Sequence, residues 1–169
     1  SRNSKFFWGP IYFKIMKKIV FIAVIFFLAI PLGFAQLKMN TFEEAEQFAK
    51  ENPKPIVIFT HTNWCKYCKI MENTTFKNAI IIKKLNDNFY FVPFDAETKR
   101  DIKFNDHVYK FKPTGTNTGI HELATALATI DKLVVYPSLT ILNSDNSILF
   151  QQHSYLSAKA LSLILDKLK

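Results

Sequence analysis

The sequence has few glycines, only two cysteines and no acidic residue in its first 35 positions. Only 4 of its 169 residues are Gly, against 17 Phe, and 49% are hydrophobic. A collagen-like chain needs Gly at every third position, and a disordered chain has few large apolar side chains, so both classes are excluded. No internal repeat or low-complexity linker divides the chain. We therefore expect one folded domain of ordinary size together with a terminal tail.

The shortage of acidic residues near the N-terminus explains most of the basic character. Residues 1–35 contain five Lys or Arg and no Asp or Glu, so they contribute +5 to the formal net charge of +8. The remaining residues carry 17 basic and 14 acidic side chains, dispersed along the chain. A domain at +3 with dispersed charge lacks the basic patch that is typical of nucleic-acid binding, so we expect no nucleic-acid partner.

The N-terminal segment resembles a secretory signal peptide. Met16-Lys17-Lys18 is a short positive segment, an apolar run follows over Ile19–Leu32, and Gly33 and Ala35 place small residues before Gln36. The run is shorter than the ~20 residues of a spanning helix. No Cys follows the cleavage site, which argues against a lipoprotein anchor. We predict export to the periplasm, or secretion, after cleavage near Ala35–Gln36, with an uncleaved membrane anchor as the alternative.

The domain boundaries follow from this segment. We interpret residues 1–15 as an upstream extension without structure and residues 16–35 as the signal peptide. Residues 36–169 form the predicted domain, with an insert at about 97–135 that is longer than an ordinary connection.

Apolar periodicity predicts alternating helices and strands in residues 36–169. Thr41 and Glu44 form a capping box before a helix that ends at Asn52–Pro53. The nearly all-apolar run Ile56–Thr60 predicts a strand buried on both faces. The further predicted elements are a helix from Cys68 to Asn73, a helix Ala79–Leu85 capped by Asn78, a turn at Asn86–Asn88, a strand Phe89–Asp95, a helix Gly119–Ile130, strands Leu139–Leu142 and Ser147–Gln151, and a last helix opened by Ser157.

The order of these elements predicts an α/β fold. A β-α-β half followed by a β-β-α half places the first two strands parallel and the last two in a hairpin. Within the insert, the alternation in His107–Lys112 is typical of a hairpin or an edge strand. We hypothesise that the insert packs near the cysteines and limits which partners dock; surface elaboration far from the site is the alternative.

The two cysteines, Cys65 and Cys68, are separated by two residues and lie between a strand and a helix, which is typical of a redox pair. Cys65 is expected at the helix N-terminus, where unpaired N–H groups and a partial positive charge stabilise a thiolate. Cys68 is one turn further along the same face, within reach for a disulfide with Cys65. We predict Cys65 as the nucleophile and Cys68 as the resolving thiol, with Lys66 adding positive charge. A structural disulfide or two inert thiols are the alternatives.

The residues around the cysteines resemble a known family. The segment Trp64-Cys65-x-x-Cys68-Lys69-x-Met71-Glu72-x-x-Thr75-Phe76 is similar to exported thioredoxin-like proteins related to the C-terminal domain of the bacterial thiol:disulfide interchange protein. Tyr136–Pro137, before a hairpin and a terminal helix, matches the position of the thioredoxin cis-proline. The resemblance implies a thioredoxin fold, a central mixed sheet flanked by helices, with an insert before the cis-proline strand.

The resemblance also implies functional roles. Pro137 would be a cis-proline beside the disulfide and Tyr136 would touch the substrate, whereas a trans strand-start proline is the alternative. Trp64 would shield the cysteines or pack in the core, and Tyr67 replaces the proline of thioredoxin. The implied activity is a thiol–disulfide oxidoreductase without a cofactor, acting as a monomer on protein thiols or disulfides, with a membrane electron donor as a candidate partner.

The chain departs from thioredoxin at Phe59, where thioredoxin has a buried Asp that shuttles protons. Glu72 is a candidate substitute, although we favour its interpretation as a solvated helix charge. Two other functions stay open. His61 could join Cys65 and Cys68 as ligands in a Cu(I) chaperone, or the domain could be a non-catalytic binding module.

Overall fold

The structure, a computed structural model, describes residues 14–21 and 36–169. The chain divides into two units, Ser1–Phe34 and Ala35–Lys169. In the first unit residues 14–21 are helical and their side chains are exposed. The rest of the predicted signal peptide, including its cleavage site, lies outside the described residues, as does most of the predicted extension 1–15. Within the described ranges, no helix has both the length and the hydropathy to cross a membrane.

The second unit alternates helices and strands. In chain order its elements are α1 (Phe42–Glu51), β1 (Ile56–His61), α2 (Lys66–Asn73), a 3₁₀ helix (Thr75–Lys77), α3 (Ala79–Asn88), β2 (Tyr90–Asp95), β3 (Ile102–Phe104), β4 (His107–Tyr109), β5 (Phe111–Pro113), β6 (Gly119–His121), α4 (Glu122–Ala128), β7 (Thr129–Ile130), β8 (Leu133–Val134), β9 (Ser138–Leu142), β10 (Ile148–Gln152) and α5 (Ala158–Lys167).

The central sheet has the strand order β10-β9-β1-β2. β1 runs parallel to β2, and β9 runs antiparallel to both β1 and β10. The predicted α/β class, with one parallel pair and a terminal hairpin, is confirmed. Because β1 and β2 are parallel, their C-terminal ends meet at one edge of the sheet, where His61 lies opposite Asp95.

The helix boundaries follow from side-chain caps. Thr41 and Glu44 form the predicted capping box, and Asn78 and Ser157 accept hydrogen bonds from the first turns of α3 and α5. The prediction of a turn at Asn86–Asn88 is wrong, because these residues form the last turn of α3. An i,i+4 ion pair between Lys83 and Asp87, 2.7 Å apart, favours helix in that turn over the local turn propensity.

Helices cover both faces of the sheet, and β1 contributes to both cores. Val57 and Phe59 pack in the core formed with α2, α3 and α5, whereas Ile56 and Ile58 pack in the core formed with α1 and α4. All four side chains are at most 1% exposed. The predicted burial of this strand on both faces is therefore confirmed. Burial of each side chain is worth about 1.5–3 kcal/mol, which stabilises β1 in the centre of the sheet.

The insert contains three short hairpins and one helix. β3 pairs with β4, β5 with β6 and β7 with β8. The predicted helix Gly119–Ile130 is wrong at both ends, since only Glu122–Ala128 is helical. Gly119 lies against the Phe111 ring in the β5–β6 hairpin, where a Cβ would come within 2.2 Å of that ring. The segment His107–Lys112 contributes to two successive hairpins.

Candidate active site at the end of strand β1

Cys65 and Cys68 form a disulfide at the N-terminus of α2. Their Cα atoms are 5.3 Å apart. Cys65 is the N-cap residue, and its Sγ accepts a hydrogen bond from the Cys68 N–H at 3.2 Å. The Cys65 N–H in turn donates to the Thr62 carbonyl at 3.3 Å, which ties the cap to the end of β1. The strand therefore positions the cysteine pair through the backbone.

The two sulfur-bearing residues differ in accessibility. Cys65 is 6% exposed and Cys68 is 0% exposed. The first turn of α2 carries no acidic residue, so no carboxylate in that turn offsets the positive end of the helix dipole at Cys65. The Lys66 side chain is exposed, and solvent screens its effect on the cysteines. The helix terminus is therefore the main local source of thiolate stabilisation.

Trp64 lies on the surface beside the cysteines. It is 66% exposed, and its Nε1–H donates to the Glu97 carboxylate at 3.1 Å. Its ring meets the Tyr136 ring edge to face, with centroids 5.9 Å apart. The interpretation of Trp64 as a core residue is therefore wrong. The indole lies on the surface, where Glu97 at the start of the insert and Tyr136 before Pro137 contact it from two sides.

The Tyr136–Pro137 peptide bond is cis. Burial, with the nearby Glu97 and Asp95 carboxylates, raises the pKa of Tyr136 to about 12, so its hydroxyl is neutral at physiological pH. That hydroxyl is buried and has no hydrogen-bond partner among the described residues. After Pro137, the Ser138 hydroxyl donates to the Val135 carbonyl at 2.6 Å. This bond fixes the backbone on either side of the proline.

Tyr67, between the cysteines, is 62% exposed, and its ring lies 6.5 Å from that of Tyr155, centroid to centroid. Tyr155 is itself 40% exposed. Trp64, Tyr67 and Tyr155 together form what we call the aromatic rim. These flat rings would bury apolar surface area at a low cost in side-chain conformational entropy when a partner covers them.

Residues 42–169 match the family model described as thioredoxin-like domain. The chain belongs to this family. The solved structure of the DsbH oxidoreductase is similar to this thioredoxin-like domain, with a TM-score of 0.58 at 18% identity, over 82% of this chain and 88% of that one. That likeness shows the fold, so the predicted thioredoxin fold is confirmed.

Curated relatives match over short segments. The uncharacterized protein B0495.5 of Caenorhabditis elegans is 40% identical over 60 residues, which are 36% of this chain and 8% of that protein. The thiol:disulfide interchange protein DsbD of Campylobacter jejuni is 33% identical over 58 residues, 34% of this chain and 10% of that protein. The thioredoxin-like domain thus spans a tenth or less of the curated relatives it matches, and it is related to thiol–disulfide oxidoreductases at low identity.

Phe59 fills the position where thioredoxin has its buried acid. It is 1% exposed, packs against Phe76 at 4.7 Å between centroids, and stacks on His61 at 5.4 Å. Hydrocarbon therefore occupies the space behind the cysteines in this thioredoxin-like domain. A proton acceptor for the buried thiol has to come from another position.

Glu72 is a partly exposed helix charge, as the sequence suggested, and it also lies close to two neighbouring side chains. Its side chain is 30% exposed, one carboxylate oxygen lies 3.0 Å from the Lys69 Nζ, and the other lies 3.6 Å from the His61 Nδ1. His61 thus faces Glu72. Within the described residues, no group of three or more His, Cys, Asp or Glu side chains is placed to hold a metal ion, so the geometry gives the Cu(I) alternative no support.

A cavity of about 410 Å³ opens behind the active-site strand. Its walls are mainly apolar and include Phe59, Phe76 and Phe91, while Glu72 and Lys77 supply its charged groups. Glu72 therefore contacts the cavity on one side and His61 on the other.

Sequence reasoning missed three residues near the site. Glu97 bonds to Trp64, Tyr155 pairs with Tyr67, and the His153 Nδ1 lies 2.9 Å from the Ser138 hydroxyl. Glu97 carried a detectable signal, because it follows the end of β2, and the carboxyl ends of parallel strands meet at one sheet edge. The other two come from the far end of the chain and carry no local signal.

Proposed function

We propose that this chain is a thiol–disulfide oxidoreductase in which Cys65 is the nucleophile and Cys68 the resolving thiol. The observation that carries this proposal is the cysteine pair itself, with Cys65 capping α2 at the surface end and Cys68 fully buried one turn below. The first cysteine is therefore the more accessible of the two to a partner. The relationship to thiol–disulfide oxidoreductases supports the same assignment.

The reaction balances through one mixed disulfide. In the reducing direction the Cys65 thiolate attacks one sulfur of a substrate disulfide, that S–S bond breaks, and the other substrate sulfur leaves as a thiolate and takes up a proton. Cys68 then loses its proton and attacks the Cys65 Sγ. The Cys65–Cys68 disulfide forms and the second substrate thiol leaves, so two electrons pass from the enzyme to the substrate. Oxidation of substrate dithiols is the reverse sequence.

The surface around Cys65 supports protein substrates. Trp64 and Tyr67 of the aromatic rim, together with Tyr136 and Pro137, would face the substrate, and Lys66 would add positive charge near the nucleophile. The Glu97–Trp64 hydrogen bond supports the hypothesis that the insert contributes to partner docking. We propose protein thiols or disulfides as partners of a monomeric enzyme, with a membrane electron donor among the candidates.

We further propose that the domain is exported, to the periplasm or beyond, after cleavage near Ala35–Gln36. This rests on the charged, apolar and small-residue segments of residues 16–35. N-terminal sequencing of the chain recovered from outside the cytoplasm should start at Gln36. A product that retains residues 16–35 would instead favour the uncleaved anchor.

The direction of electron flow follows from the reduction potential. Known dithiol couples span from about −270 to about −120 mV, equivalent to about 7 kcal/mol for two electrons. We propose that the protein acts as a reductase, on the resemblance to the interchange protein. A potential near the low end of that span supports this direction, and one near the high end supports an oxidase.

Two variants and one titration test the activity. Equilibration in glutathione or dithiothreitol buffers should show one reversible two-electron couple, and the wild type should reduce insulin. Cys68→Ser should trap a mixed disulfide with a substrate protein, while Cys65→Ser should trap none and lose turnover. Absence of a reversible couple, or turnover that survives in Cys65→Ser, would refute the proposed function.

A further inference from the structure

His61 and Glu72 form a polar pair on the active-site side of the sheet. The His61 Nδ1 is buried, has no hydrogen-bond partner among the described residues, and lies 3.6 Å from a Glu72 carboxylate oxygen. The imidazole is held by stacking on Phe59, with an angle of 22° between the ring planes. The packing therefore presents a buried ring nitrogen to a partly buried carboxylate.

The position of this pair relates it to Cys68. Glu72 follows Cys68 by four residues on α2, and side chains at that spacing are neighbours on one helix face, with Cβ atoms about 5–6 Å apart. His61 is the last residue of β1 and precedes Thr62, whose carbonyl accepts the Cys65 N–H. Strand and helix thus bring the pair to the buried side of the disulfide.

The chemistry requires a proton acceptor at this place. Cys68 attacks only as a thiolate, and it is 0% exposed, so bulk water cannot take its proton directly. Phe59, at the position of the acid in thioredoxin, has no group that accepts a proton. Between β1 and α2, the two side chains that meet this requirement are His61 and Glu72.

We propose that the His61–Glu72 pair accepts the proton of Cys68 when this thiol resolves the mixed disulfide. The inference rests on the proposed function. The S–H bond of Cys68 breaks, its proton passes to the pair, and the thiolate attacks the Cys65 Sγ and displaces the substrate thiolate. When the enzyme is reduced again, the pair returns the proton to Cys68.

The charges that face His61 are consistent with this role. Burial lowers the pKa of His61, and Lys69 acts in the same direction, while Glu72 on α2 and Asp95 on β2 oppose the shift. The imidazole is therefore neutral near physiological pH, and one ring nitrogen is free to accept a proton.

The pair also has an exit for the proton. Glu72 lines the cavity of about 410 Å³, and its side chain is 30% exposed. A proton taken from Cys68 can therefore reach solvent through Glu72 without crossing the apolar core around Phe59. The same exposure allows the pair to take up a proton again for the reverse step.

The test separates the two chemical steps on the full-length protein. Reduced protein is mixed in a stopped-flow instrument with dithiobis(nitrobenzoate), which Cys65 attacks with release of one nitrothiobenzoate. Attack by Cys68 releases the second. Glu72→Gln keeps the side-chain shape and His61→Phe keeps the stacking on Phe59. We expect each to slow the second release ~10-fold or more at neutral pH and to shift its pH profile upward, with the first release unchanged.

Controls distinguish the possible failures. Glu51→Gln removes an exposed carboxylate from α1 and should leave both releases unchanged. The double variant of His61 and Glu72 should be no slower than the slower single variant, because the two side chains act as one unit. A second release equal to wild type in both single variants, or equal slowing of both releases, would overturn the inference. A wild type that shows no second release would instead refute the proposed function.

Discussion

Replacement of Phe59 by Asp tests how far this domain has diverged from thioredoxin. The change returns the acidic side chain of thioredoxin to its position. We nevertheless expect severe destabilisation, because Phe59 is 1% exposed and contacts the Phe76 and His61 rings at 4.7 and 5.4 Å between centroids. A carboxylate at this position would lie in the apolar core that Phe59 shares with Val57, Cys68 and Met71.

The magnitude follows from two costs. Truncation of a buried Phe costs about 3–5 kcal/mol, since the transfer energy is lost and a cavity remains. An unpaired buried polar group adds about 1–3 kcal/mol, and more when it is charged. A domain of this size has a total stability of about 5–15 kcal/mol. Phe59→Asp should therefore lose most of its stability at neutral pH.

Urea unfolding of the oxidised protein measures this loss, with Phe59→Leu as a control that should cost only about 1 kcal/mol. Burial raises the pKa of the introduced carboxyl above its unfolded value of about 3.9. The variant is then penalised progressively as the pH rises through this range, so its deficit relative to Phe59→Leu should shrink in acid. Equal stability of the two variants at neutral pH would refute the reasoning and mean that the adjoining cavity hydrates position 59.

Three further predictions concern the surroundings of the site. Within residues 36–169 Trp64 is the sole tryptophan, so its fluorescence should change in Glu97→Ala but little in Glu97→Gln, which keeps a hydrogen-bond acceptor. Burial lowers the pKa of His121, so stability should fall as the pH drops below the unfolded value of about 6.5, and urea unfolding of His121→Gln should show a weaker pH dependence. Asn78→Ala removes the N-cap of α3 and should cost about 1 kcal/mol in the same assay, whereas an unchanged midpoint would contradict the cap.

The parts of the fold that the sequence predicted depend on local signals. The burial of β1 on both faces follows from its unbroken apolar run, and the starts of α1, α3 and α5 follow from Thr41, Asn78 and Ser157. The placement of Cys65 at the tip of α2 follows from the junction of a strand with a helix. Each of these signals lies within a few residues of the feature it specifies. Tertiary contacts favour the same local structure at these positions, so the predictions hold.

The parts that could not be predicted depend on contacts between distant residues. Nothing near Gly119 reveals that the Phe111 ring lies against it and favours a strand. His121 begins α4 because its buried imidazole accepts the Leu123 N–H at 3.3 Å and its other nitrogen lies 3.1 Å from the Arg100 carbonyl. Histidine is a rare N-cap, so only the tertiary structure identifies it. The Glu72–His61 pair likewise joins a helix to a strand end.

The insert contributes to the interior of the domain, so partner docking and surface elaboration do not describe it fully. Ile102 and Phe104 of β3 are at most 4% exposed and pack in the core with α1, so the insert is part of the domain interior as well as an elaboration of it. Replacement of residues 99–118 by a linker would remove these side chains and destabilise the domain whatever the insert does for docking. Glu97, at its start, is the part that contacts the site through Trp64. Point variants there, which leave the interior intact, are therefore the way to separate partner docking from folding.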